Sequence, residues 1–65
     1  MKDYTNCEIW DYEGDRVIKV NKFSKMHNAY DCTVFEIIYT ADGEEKSDIG
    51  SPALLTQNDL DRIHE

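Results

Sequence analysis

Thr33-Val34-Phe35-Glu36-Ile37-Ile38-Tyr39-Thr40, closed by Ala41-Asp42-Gly43 and continued by Glu44–Ile49, reads as a β-hairpin and decides the fold class. Val, Ile, Thr, Phe and Tyr pack well on a pleated, half-buried surface. A Gly beside an Asp gives a short hairpin loop its positive φ. Within the first strand Phe35, Ile37 and Tyr39 share one face, and Val34, Glu36 and Ile38 share the other. Upstream, Cys7–Tyr12 and Arg16–Phe23 flank Glu13-Gly14-Asp15 and read as a second hairpin, with Ile18 and Val20 inward. Ser24–Asp31 between the hairpins is polar and aperiodic, which predicts a loop. Apolar residues on both strand faces predict a sheet curled over its own core.

The chain then runs into Ser51-Pro52-Ala53-Leu54-Leu55-Thr56-Gln57-Asn58-Asp59-Leu60-Asp61-Arg62-Ile63. Thr56 can cap a helical turn, with Asp59 in the reciprocal capping position three residues on. The two turns that fit are too short to hold alone, so Leu60 and Ile63 are expected to pin them to the core. The core set is Ile9, Val17 or Ile18, Val20, Phe35, Ile37, Leu54, Leu55, Leu60 and Ile63.

Residues 53–63 resemble the ending of small SH3-like barrels: a short apolar strand, a tight 3₁₀ turn and a final strand. Ile9-Trp10-Asp11-Tyr12 is similar to the aliphatic-aromatic-Asp-Tyr string of an SH3 first strand. The resemblance implies a mainly β single domain over residues 1–65. That domain is an SH3-like barrel, or a curled antiparallel sheet of four or five strands with a short C-terminal helical turn. The paired tryptophans of SH3 domains are missing and no Pro follows Leu55, so a proline-rich-peptide groove is not implied.

Composition limits function. Sixty-five residues allow one domain, with no room for a two-lobed catalytic cleft. No local signature joins Cys7, Cys32, His27 and His64 into a nucleophile–base pair, and zinc sites draw ligands in paired clusters that this chain lacks. No enzyme activity, cofactor or metal is therefore expected. No apolar run spans a membrane, and Met-Lys-Asp-Tyr-Thr-Asn has no apolar leader region, which predicts a cytoplasmic protein. There Cys7 and Cys32 would be free thiols, whereas an oxidising compartment would let them pair.

Charge is the informative feature. The formal net charge is −7, unevenly spread: residues 1–15 carry −4, residues 16–30 carry +4 and residues 31–65 carry −7. The surplus of acid argues against a general nucleic-acid binder. Three readings follow. In the first, Trp10, Tyr12, Tyr30 and Tyr39 with adjoining carboxylates form a protein-binding surface of a small regulator or inhibitor. In the second, Asp11, Glu13, Asp15, Asp42, Glu44 and Glu45 imitate nucleic-acid phosphates, since alternate residues of an extended strand lie ~6.6–6.8 Å apart. Such a chain resembles the DNA mimics with which phages and mobile elements block nucleic-acid enzymes. In the third, Arg16, Lys19, Lys22 and Lys25 with Tyr30 bind nucleic acid directly, provided the four cations share one exposed face. Oligomeric state is left open by the sequence.

Overall fold

A computed structural model describes residues 2–64 as four strands and one helix: β1 (Glu8–Asp11), β2 (Arg16–Ser24), β3 (Ala29–Thr40), β4 (Gly43–Leu55) and α1 (Gln57–His64). Every strand pairs antiparallel with its sequence neighbour, giving one sheet in the order β1-β2-β3-β4. The fold is mainly β, as expected. The sheet is open, however: β1 and β4 are its two edges and no backbone ladder joins them into a barrel. Residues 57–64 are helical and not a turn followed by a strand. Among the described residues no helix is long and apolar enough to cross a membrane.

The 24–31 segment is not a loop. Ser24 pairs with Ala29, so β2 and β3 form a third hairpin around Lys25–Asn28. Asn28 adopts φ 52° there, a left-handed conformation that Asn tolerates through its short polar side chain. Asp15 plays the same part in the first turn, at φ 52°, while Gly14 serves close approach: a β-carbon on it would lie 2.8 Å from Asp11 Oδ2.

Cross-strand register separates two apolar faces. On the helix side, Ile9, Ile18, Val20, Tyr30 and Cys32 bury around Leu60 and Tyr4, with Val34, Leu55 and Ile63 packed on the margin. On the opposite face Trp10, Val17 and Phe35 stand in one row, and Val17 is fully buried. Val17 and Ile18 are thus both core, on opposite sides. Ile37 is buried as expected, but Phe35 is only half-buried and Leu54 is 49 % exposed, because Leu55 beside Tyr30 takes the helix side and alternation puts Leu54 on the opposite face with Asp31.

The sheet curls strongly toward the Val17 face. Glu8 stands in the Lys19–Thr33 row, whereas Lys46 pairs with Ile37, four residues further along β3 and three strands across. A flat sheet would hold them about 20 Å apart, yet Lys46 Nζ lies 3.1 Å from Glu8 Oε2. The bend starts where Ser47, Asp48 and Ile49 oppose Glu36 alone. There Ser47 Oγ accepts from Glu36 N at 3.2 Å and donates to Ile49 O at 3.1 Å.

Helix α1 closes the other face. Thr56 Oγ1 accepts from Asp59 N at 3.2 Å and Asp59 Oδ2 accepts from Thr56 N at 3.1 Å, a reciprocal cap with Asp in the Glu position. Buried Tyr4, absent from the expected core, fastens the helix to the N-terminal segment: its hydroxyl donates to Asp61 Oδ1 at 2.7 Å. Tyr30 O–H donates to Gln57 Oε1 at 3.1 Å, and Gln57 Nε2 donates to Lys2 O at 2.8 Å. The bond to Asp61, together with burial, pushes the Tyr4 phenol from its ordinary 10.0 up to about 12. A phenol whose pKa rises on folding stabilises the fold fully below pH 10, and that contribution is lost as pH climbs to about 12. Urea unfolding midpoints across this window should fall for the natural chain, and Tyr4→Phe should remove that part of the slope. An unchanged slope would mean that the phenol titrates normally.

Candidate functional site

The turn Tyr12–Asp15 and the tip of the β3–β4 hairpin meet at one end of the molecule. Tyr12 O–H donates to Glu44 Oε1 at 3.0 Å, Tyr39 O–H donates to Asp15 Oδ1 at 2.8 Å, and Ile37 N donates to Asp15 O at 3.1 Å. The curl of β4 makes these contacts, since Glu44 faces the same side of the sheet as Tyr39. Their carboxylate partners push both phenols above the ordinary 10.0. Tyr12 and Tyr39 nevertheless keep 54 % and 59 % of their surface open to solvent. Half-buried Trp10 backs Tyr12, ring centroids 6.2 Å apart, and its indole donates to Glu8 Oε1 at 3.1 Å.

Residues 11–16 and 36–48 hold eight of the fourteen carboxylates and two of the seven cations, a formal −6 out of −7 for the whole chain. Nearly all the net charge therefore gathers at one end of a molecule 41 Å long. Glu13, Asp15, Asp42, Glu44 and Glu45 are exposed there. Glu36 and Asp48, which the sequence did not single out, join them because the bend in β4 carries Asp48 opposite Glu36. Lys46 bridges this end to Glu8 and stands 4.8 Å from the Phe35 ring centre. Nothing in the local sequence marks that seam, whose partners are 38 residues apart.

Two expected site residues belong elsewhere. Tyr30 is 5 % exposed, paired with Leu55 under the helix, so it anchors the core and presents nothing to a partner. Asp11 is committed to Arg16 at 2.9 Å and accepts from Gly14 N at 3.2 Å. Burial raises its pKa, but the Arg16 and Gly14 bonds outweigh that and hold the carboxyl below its ordinary 3.8. The even phosphate-like spacing of Asp11, Glu13 and Asp15 also fails: β1 ends at Asp11, and Tyr12–Asp15 is a turn and not an extended strand.

The four cations of β2 and its turn do not share a face. Arg16 pairs with Asp11 on the helix side, whereas Lys19 lies in the opposite-face row with Glu8 and donates to Asn6 O at 3.2 Å. Burial and the nearby Asp31 charge push Cys32 above its ordinary 9.0. Cys7 and Cys32 flank Val20 on either side, two strand spacings or roughly 9–10 Å apart, beyond the ~7 Å reach of a disulfide. Both are free. Among the described residues no three His, Cys, Asp or Glu side chains converge to hold a metal ion. Set beside known proteins, the chain matches no family model, no curated protein and no solved structure.

Proposed function

We propose that this chain is a small non-enzymatic binding module, a regulator or inhibitor that presents its acidic, aromatic-bearing end to a basic surface of a larger protein. One observation carries the reading: a formal −6 is gathered at the end where Tyr12 and Tyr39 stay exposed. Carboxylates there steer a cationic partner and set orientation, while large rigid rings supply contact area at low entropic cost. A nucleic-acid enzyme, with its basic channel, falls within the partner class. Imitation of a phosphate ladder has less support, because the turn breaks the regular spacing on which it relied.

The test is affinity capture with the natural chain and with a variant carrying Glu13→Gln, Asp15→Asn, Asp42→Asn and Glu44→Gln. These amides still accept the two tyrosine hydrogen bonds, so the fold should persist. The natural chain should retain a basic protein at low salt and lose it as salt rises, and the variant, whose acidic end falls from a formal −6 to −2, should retain far less of it. Equal retention by both chains would refute the reading. Release of the captured protein by duplex DNA would favour nucleic-acid mimicry over a general protein-binding surface.

A further inference from the structure

The helix-side face of the sheet is only partly covered. Helix α1 has eight residues and spans ~12 Å, whereas β3 and β4 have twelve and thirteen and run ~40 Å. Where the helix stops, two hollows of about 710 and 590 Å³ open side by side and share Gly14 and Arg16. Together they make one trough from Ile63 and Leu55, beside the helix, past Arg16 to Val34 and Ile49. An apolar face needs a second layer, and Ile49 at 83 % exposure has none.

Charge indicates what the second layer is. The cations along the trough are engaged: Arg16 by Asp11 at 2.9 Å and Arg62 by Asp59 at 3.4 Å. Glu13, Asp15 and Glu36 on its rim have no cation within ion-pair distance among the described residues. We infer that the trough receives a short amphipathic segment of the partner protein, its apolar side on Val34, Ile49 and Ile63 and its Lys or Arg side chains on Glu13, Asp15 and Glu36. This rests on the reading of the acidic end as a partner surface, and extends it from the turn tips onto the helix-side face. A helix of about 11 residues, ~16 Å long, would continue the layer that α1 begins.

The probe is a synthetic peptide of about 11 residues with leucine on one helical face and lysine on the other, titrated into isotope-labelled protein. The expected result is amide shifts at Arg16, Val34, Ser51 and Ile63, with binding weakened about tenfold or more by Ile49→Lys. That side chain is exposed, so the fold should be untouched, which circular dichroism checks. Shifts confined to Tyr12, Tyr39 and Glu44 would remove the trough while leaving the acidic-end reading intact. No shift at all, or equal binding of a leucine–glutamate peptide, would overturn the proposal. So would self-association that perturbs the same amides, which would assign the trough to a second copy of this chain.

Discussion

Leu60→Ala is expected to remove a large part of the chain's stability. Leu60 is fully buried, and it is the one fully buried side chain that the helix contributes to the cluster of Tyr4, Ile9, Ile18, Val20, Tyr30 and Cys32. Truncating a buried Leu removes its transfer free energy and leaves a cavity, together costing about 2–5 kcal/mol. A 65-residue chain has on the order of 3–10 kcal/mol in total. An eight-residue helix also has little stability of its own, so losing its anchor frees Gln57 and Asp61, and with them the bonds to Tyr30 and Tyr4. Thermal unfolding should show Tm lower by roughly 10–30 °C. Leu54→Ala is the control: at 49 % exposure it should move Tm little. If both variants melt alike, the helix is not docked through Leu60.

Gly50→Val should be the next most damaging substitution, by overfilling and not by emptying. A β-carbon at Gly50 would come within 2.7 Å of Phe35 Cε1 and closer still to Thr33 Cγ2. Gly50 is paired with Phe35 beside the bend of β4, so added bulk must displace Phe35 or straighten the bend. Displacing Phe35 breaks its contact with the Lys46 ammonium, and straightening the bend separates Lys46 from Glu8. Overpacking of this kind costs about 1–3 kcal/mol. Ser51→Ala, one residue away on the exposed helix-side face, should stay within about 0.5 kcal/mol. Urea midpoints compare the two, and a Gly50→Val chain as stable as the natural one would mean that the bend does not depend on close approach at Gly50.

Local chemistry made much of this legible in the sequence. The Asp42-Gly43 turn, the alternation of Phe35, Ile37 and Tyr39, the inward Ile18 and Val20, and the Thr56–Asp59 cap each lie within a few residues, where periodicity and turn chemistry act. Local chemistry is silent where two distant segments decide the outcome. Tyr30 looks like an interface aromatic until β4 brings Leu55 beside it and α1 brings Gln57 over it. Leu54 and Leu55 look equivalent until register sends them to opposite faces. The 24–31 hairpin was hidden because Asn28, and not a glycine, takes the left-handed position. For the candidate site, the acidity of Glu13, Asp15, Asp42 and Glu44 was visible, but their gathering needed the Tyr12–Glu44 and Tyr39–Asp15 bonds across 32 and 24 residues.

The order β1-β2-β3-β4 also governs how the chain reaches this structure. Each strand partners its immediate neighbour across a short turn, so the sheet can zip up one hairpin at a time with little loop-closure entropy. The Tyr4–Asp61 bond is different: it spans 57 residues, and its loop-closure cost is expected to delay it until the sheet has brought Tyr4 and Asp61 together. On this ordering the N-terminal segment and the helix act as a latch thrown last, and loosening one should loosen the other. A latch closed after the rate-limiting step leaves the folding rate unchanged when it is weakened. In kinetic experiments the Leu60→Ala chain should accordingly fold at nearly the natural speed and unfold much faster.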